Sequence, residues 1–201
     1  MSIMLRAIII TILCFGGAEP PPRAEAQEVG AQLDPDLHAA IKESYPGAIV
    51  ATKYQNDPCP APENHPGWVK ADFNGDGLAD HAVLLSIENK SGIGMGKRYD
   101  SVLVVFERGK SGSYHSVLVD MINENFIRLK NMNMEVTETL IRKQLPGQIK
   151  GLGSDGQSTI NLAHPGIMME QCEKWNRLWY WDVKEKRYKD LYDEDYENGK
   201  E

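Results

Sequence analysis

The nine residues from Asp72 to Asp80, Asp-Phe-Asn-Gly-Asp-Gly-Leu-Ala-Asp, constrain this chain more than any other stretch. Acidic or amide side chains recur at alternate positions, and a further carboxylate follows them. A hard cation such as Ca²⁺ takes six to eight oxygen ligands at about 2.3–2.6 Å, so a short loop must curl to aim several oxygens at one centre. Gly77 permits a sharp turn after the third such side chain. The pattern predicts a Ca²⁺ site formed by the side chains of Asp72, Asn74, Asp76 and Asp80 and the backbone carbonyl of Leu78.

The residues that flank the loop indicate which kind of calcium loop it is. An EF-hand places its loop between helices and closes it with a Glu at the twelfth position, where this chain has Val83. Residues 68–71 and 81–87 are strand-like runs, so the prediction is a strand, the loop and a second strand. The alternative is an acidic turn that binds no ion, since Asp, Asn and Gly favour turns in any case.

The loop and the Ala82-Val83-Leu84-Leu85 run after it resemble the calcium loop of FG-GAP/VCBS-type repeats, familiar from integrin-like β-propellers. The resemblance covers about twenty residues and implies Ca²⁺ ligation by the same five residues. A propeller needs several blades, and residues 153–157 lack the ligand spacing of a second copy. The Tyr45-Pro46-Gly47 and Tyr180-Trp181 segments add a likeness to small exported bacterial proteins that carry a single loop of this kind.

Residues 1–26 have the pattern of a cleavable signal peptide. Arg6 supplies the positive start, residues 7–15 are apolar, and Ala24-Glu25-Ala26 fits a small-x-small cleavage site. The apolar run is shorter than the about 20 residues of a membrane span. The mature chain from Gln27 is therefore expected to be periplasmic or secreted, without a membrane span. A retained N-terminal anchor stays open as the alternative.

Charge and length limit the function classes. The net charge is −7, and removing residues 1–26 deletes two arginines and two glutamates and leaves it unchanged. A chain this acidic, without a basic patch, is not expected to bind nucleic acid. The roughly 175 mature residues suit a single domain over residues 27–192, followed by an acidic tail over 193–201.

Two cysteines remain after cleavage, Cys59 and Cys172. In an oxidising compartment they are expected to form a disulfide. Two buried free thiols are the alternative.

The remaining patterns predict an α+β fold of mostly antiparallel β hairpins with a short N-terminal amphipathic helix, and not a complete propeller. Asp34-Pro35 starts the helix and Pro46-Gly47 stops it. Within residues 121–150 the pattern is weak, and it suggests a strand over 126–129 and a helix over 135–144. The other predicted strands cover residues 48–52, 101–107, 114–120, 159–162 and 166–171, with a final hairpin from 177–183 and 187–192.

The final hairpin is rich in aromatic residues. Trp179 and Trp181 are expected on one face of the strand and Tyr180 on the other. Exposed, the two tryptophans would offer a binding surface for a sugar or a peptide. Paired across strands in the core, they would serve packing, which is the favoured interpretation.

No sequence signature of an enzyme is present: the chain lacks a Gly-x-Ser-x-Gly elbow, a His-Glu-x-x-His helix and a Cys-x-x-Cys pair. The leading hypothesis is an exported calcium-binding domain in which Ca²⁺ is structural and an unknown protein or glycan is the partner. The alternatives are an envelope interaction or inhibitor-type protein, and a hydrolase whose site is built from distant loops.

Overall fold

The computed structural model describes residues 33–54, 67–89, 98–122, 136–137, 139–152, 158–171 and 175–193. Over these ranges the protein is mostly antiparallel β-structure with one short helix, as the sequence predicts, and its sheets do not close into a barrel. The predicted signal peptide, Cys59, Cys172, the predicted strand over 126–129 and the tail after Asp193 lie outside these ranges.

The elements follow one another in chain order as α1 Pro35–Ser44, β1 Ile49–Val50, β2 Lys53–Tyr54, β3 Trp68–Ala71, β4 Asp80–Asn89, β5 Arg98–Arg108, β6 Tyr114–Ile122, β7 Val136–Thr137, β8 Leu140–Gln144, β9 Gly147–Leu152, β10 Ser158–Leu162, β11 Gly166–Gln171, β12 Trp175–Asp182 and β13 Arg187–Asp193.

The helix α1 begins and ends where the sequence predicts. The Asp34 side chain accepts the N–H of Asp36 at 2.9 Å, and Pro35 holds the first helical position, where its missing N–H costs no hydrogen bond. Leu37 and Ile41 are buried one turn apart, and burying each such side chain contributes about 1.5–3 kcal/mol. Among the described residues, no helix has the length and apolar character needed to cross a membrane.

Two antiparallel sheets make up the centre of the molecule. In the first, β1 and β3 pair with β4, which is followed by β5 and β6. In the second, the strand order is β13, β12, β11, β8. The strands β2 and β7 form a short parallel pair of their own.

Alternation along β4 and β5 divides the first sheet into two apolar faces. One face packs against α1 and includes Val83, Val104 and Phe106. The other face packs against the second sheet, where Leu84, Leu103 and Val105 contact side chains such as Ile141, Ile167 and Met169. Because both faces are covered, these strands are almost continuously apolar in sequence.

The second sheet is also covered on both faces. Its outer face buries Met168 and Leu178 against Leu162, with Ile149 and Ile160 packed around them. Those last residues belong to the hairpin of β9 and β10, which pair antiparallel. The order of layers is therefore helix, first sheet, second sheet and hairpin.

The predicted helix over residues 135–144 is wrong. Val136–Thr137 and Leu140–Gln144 are strands, and β8 pairs antiparallel with β11 from Leu140↔Glu170 to Gln144↔Gly166. The segment contains Val136, Thr137, Thr139 and Ile141, whose β-branched side chains fit a sheet surface better than a helix. Pairing with β11 makes this segment a strand. The spacing of apolar residues along the segment does not reveal that pairing.

Candidate calcium-binding loop

Residues 72–79 form the turn between β3 and β4. These two strands pair antiparallel from Trp68↔Val83 to Ala71↔Asp80, so the ends of the loop are held side by side. The arrangement of strand, loop and strand predicted from the flanking residues is confirmed. Two glycines make the turn possible, because Gly75 and Gly77 have φ of +78° and +86°, where other residues are strained.

The side chain of Asp72 organises the loop from inside. Its Oδ1 accepts the N–H of Gly75 at 2.8 Å and that of Asp76 at 3.1 Å, and its Oδ2 accepts the N–H of Gly77 at 2.9 Å. Hydrogen bonds from backbone N–H groups to a carboxylate are charge-assisted and strong. One side chain therefore fixes the path of the following five residues.

The next two predicted ligands continue the same pattern. Asn74 Oδ1 accepts the N–H of Asp76 at 3.0 Å, and Asp76 Oδ1 accepts the N–H of Leu78 at 2.8 Å. The Asp76 nitrogen thus lies within 3.1 Å of one oxygen from Asp72 and one from Asn74. Oxygens from two predicted ligands therefore contact the same backbone amide.

Asp80 lies at the base of the loop and is fully buried. Its Oδ2 accepts the N–H of Phe73 at 3.1 Å, and its Oδ1 accepts the N–H of Arg108, at the end of β5, at 2.9 Å. Burial raises the pKa of Asp80 to about 6, although both backbone hydrogen bonds oppose this rise. The carboxylates of Glu107 and Asp76 raise it further.

The acidic side chains of the loop already accept hydrogen bonds within the protein. Asp72 and Asp76 are directed to backbone amides of the loop, and Asp80 is directed to Phe73 and Arg108. In the described part of the chain, no group of three or more His, Cys, Asp or Glu side chains is placed to hold a metal ion. The donor chemistry still fits Ca²⁺, since an ionised carboxylate has about four lone-pair sites and can accept an N–H while it binds an ion.

His81, next to the loop in sequence, belongs to a different environment. It is buried on the helix side of β4, with its ring centroid 5.7 Å from that of Trp68 and 5.6 Å from that of Tyr114. The Tyr114 hydroxyl lies 3.3 Å from its Nδ1. Burial lowers the pKa of His81 to about 4, and the positive charge of Lys70 adds to this effect. His81 packs in the interior, on the face of the sheet opposite to Asp80.

Another histidine, His164, contacts the loop directly. It lies between β10 and β11, and its ring fills the space beside Gly75 where a Cβ atom would stand. This residue was not predicted from the sequence, because the contact joins segments far apart in the chain and no spacing signals it.

The two tryptophans of the final hairpin are placed differently from each other. Trp179 is only 8% exposed and packs between the two sheets, while Trp181 is partly exposed, with its ring centroid 5.1 Å from that of Tyr188. A ring as enclosed as that of Trp179 has no flat face to offer a sugar or a peptide. For Trp179 the structure agrees with core packing.

Comparison of the chain with models of protein families, with curated proteins and with solved structures gives no match.

Proposed function

We propose that the protein is an exported domain whose loop from Asp72 to Asp80 binds Ca²⁺, and that the ion has a structural role. Asp72, Asn74, Asp76 and the Leu78 carbonyl bind from the loop. Asp80 completes the set at the base of the loop, through the oxygen lone pairs that its two hydrogen bonds to backbone amides do not use. The mature protein acts in the periplasm or outside the cell by binding a protein or glycan partner, and catalysis is not part of the proposal.

The observation that carries the proposal is that Asp72 Oδ1 and Asn74 Oδ1 both accept the N–H of Asp76, each within 3.1 Å of its nitrogen. Asp76 itself is held by the N–H of Leu78, so the alternate residues of the loop are fixed relative to one another. A short, tightly hydrogen-bonded loop that concentrates carboxylate and amide oxygens suits a hard cation that prefers oxygen.

A structural role follows from where the loop is attached. Its ends continue into β3 and β4, and Asp80 connects it to the end of β5. The loop carries three carboxylates, whose mutual repulsion opposes its compact form. A divalent cation would remove that repulsion and stabilise the three strands together.

The first test is thermal unfolding of the mature protein in Ca²⁺ and in excess chelator. Binding to the native state raises stability by RT ln(1 + [L]/Kd), or about 2.7 kcal/mol at 100 times Kd. We expect Ca²⁺ to raise the Tm by several degrees, and Asp76→Ala to abolish the rise. Mg²⁺ serves as the control ion, since it demands stricter octahedral geometry and gives up its waters reluctantly.

Equal Tm values in Ca²⁺ and chelator, for the parent and the variant alike, would reduce the nine residues to an acidic turn and remove the proposed function.

A second candidate function is a protein interaction to which the ion is incidental. Leu118 and Met121 of β6 are both more than half exposed, and large exposed apolar side chains can mark interaction surfaces. Capture of the same partner from envelope extracts with and without chelator would favour this candidate. Capture that is lost on chelation would favour a role for Ca²⁺ in holding the binding surface.

A further inference from the structure

The contact between His164 and Gly75 joins the loop to the second sheet. A Cβ atom built on Gly75 would stand 2.1 Å from Cε1, 2.3 Å from Nε2 and 2.6 Å from Nδ1 of His164. Such distances mean that the imidazole ring occupies the space of the missing side chain. Gly77 provides the contrast, because its φ is similar and a Cβ there would meet nothing within 4 Å.

The segment that carries His164 is tightly packed at its end, Gly166. A Cβ at Gly166, two residues further on, would stand 2.9 Å from Cδ1 of Leu178 and 3.0 Å from the carbonyl oxygen of Trp179. Gly166 begins β11, which pairs with β12 and β8 in the second sheet. The backbone at Gly166 therefore lies directly against β12, which holds the end of the segment in place.

We propose that His164 is a positioning residue for the loop, and that it couples ion binding to the packing of the two sheets. The ring limits how far Gly75 can move, and Gly75 lies between the two predicted ligands Asn74 and Asp76. The imidazole acts through this contact and not as a ligand. The coupling to Ca²⁺ rests on the proposed function, whereas the contact between His164 and Gly75 does not depend on it.

The contact has a consequence for affinity. A loop held in its binding conformation before the ion arrives loses less conformational entropy on binding. Removing the ring by His164→Ala frees the loop, so the Kd for Ca²⁺ should rise by about tenfold, which corresponds to about 1.4 kcal/mol. A role in stability alone would lower the Tm without changing the Kd.

The experiment combines four variants of the mature protein: His164→Ala, Gly75→Ala, Gly77→Ala and the double variant Gly75→Ala/His164→Ala. Gly75→Ala and Gly77→Ala both place a side chain at positive φ. Only Gly75→Ala also collides with the imidazole, so the difference between the two isolates the contact. Ile41→Ala is the control for general destabilisation, since Ile41 packs between α1 and the first sheet, in a core cluster separate from that of Phe73 in the loop.

Two measurements are made on each variant: thermal unfolding in chelator and calorimetric titration with Ca²⁺. In chelator, we expect Gly75→Ala to lower the Tm by several degrees more than Gly77→Ala, and His164→Ala to remove this excess in the double variant. In the titration, His164→Ala should weaken Ca²⁺ binding by about tenfold, whereas Ile41→Ala should leave the Kd unchanged.

The two proposals fail in different ways. If the parent binds no Ca²⁺, the proposed function falls, and with it the coupling to the ion. If the parent binds Ca²⁺ but His164→Ala keeps the parent's Kd, or Gly75→Ala and Gly77→Ala lose equal stability with no rescue, the inference falls while the calcium site stands.

Discussion

At the scale of single residues, Asp80 connects two segments that lie far apart in the chain. It accepts the N–H of Phe73 from the loop and the N–H of Arg108 from the end of β5. We expect Asp80→Asn to destabilise the protein by about 1–3 kcal/mol in chelator, since the amide group would turn a donor toward one of these two donors and leave a buried N–H without an acceptor. Urea unfolding in chelator measures this loss apart from any effect of the ion.

The matched control is Asp76→Asn, which makes the same chemical change on an exposed part of the loop. An asparagine there keeps the oxygen that accepts the N–H of Leu78. Its unfolding free energy in chelator should stay within about 0.5 kcal/mol of the parent, as is usual at surface positions. Equal losses in the two variants would contradict the anchoring role of Asp80.

From the environment of Tyr188 we expect the stability of the protein to fall at alkaline pH. Burial raises the pKa of its hydroxyl well above the ordinary value of 10.0, and the neighbouring charge of Glu107 raises it further. The hydroxyl also donates a hydrogen bond to Glu107 Oε1 at 3.3 Å. A group that stays protonated when folded and ionises when unfolded favours the unfolded state once the pH passes its unfolded pKa.

The sign is therefore a loss of stability as the pH rises above about 10, with no contribution from Tyr188 below that value. The unfolding free energy measured in urea from pH 8 to pH 11 should fall for the parent and fall less steeply for Tyr188→Phe. Parallel curves for the two proteins would show that Tyr188 ionises freely in the folded state.

At the scale of elements, the sequence predicted those helices and strands whose formation depends mainly on residues within the segment itself. The cap at Asp34, the stop at Pro46-Gly47 and the apolar runs of β4 and β5 are properties of the segments themselves, and the structure confirms them. The strand β8 depends instead on a partner, β11, that follows in the chain. The β-branched residues of the segment suit a strand, but the spacing of its apolar residues did not distinguish helix from strand, and the predicted helix over 135–144 was wrong.

The loop shows the same division. The alternate spacing of Asp72, Asn74 and Asp76 was visible in the sequence, and their hydrogen bonds stay within the loop. The contacts of Asp80 with Arg108 and of Gly75 with His164 come from other strands and turns. Such contacts exist only once the sheets have formed, so no spacing in the sequence reveals them.

The strand β8 can be tested by a pair of adjacent substitutions. Ile141 is 3% exposed and lies in the core between the sheets, while the side chain of the next residue, Arg142, is 58% exposed. We expect Ile141→Ala to cost about 2–5 kcal/mol, because it leaves a cavity in the core. Arg142→Ala should cost less than about 1 kcal/mol, since it removes only an exposed ion pair with Glu170. Urea unfolding measures both, and similar losses would contradict the alternation of a strand.

At the scale of the whole molecule, the two sheets are held by more than apolar packing. Arg177 of β12 donates from Nη1 to Asp120 of β6 at 2.6 Å, and its guanidinium lies 5.7 Å from the ring centroid of Trp179. The hydrogen bond of Tyr188 to Glu107 joins the same sheets at another point. These polar links join the sheets at two defined points, and the contact of His164 with Gly75 adds a third between the loop and the turn before β11.

A disulfide between Cys59 and Cys172 would add a covalent link between two segments that are far apart in the sequence. Both cysteines lie outside the described residues, so the bond remains a prediction based on export. In sequence, Cys59 stands between β2 and β3, and Cys172 directly follows β11 of the second sheet. A bridge that closes a loop of this length stabilises by about 4–5 kcal/mol on the chain-entropy model.

Cys59→Ser, Cys172→Ser and the double variant should then lose the same stability in urea, because each removes the same bond. Denatured mature parent should react with a thiol-alkylating reagent only after reduction, at two sites by mass. Labelling without reductant, together with losses that add in the double variant, would identify two independent free thiols.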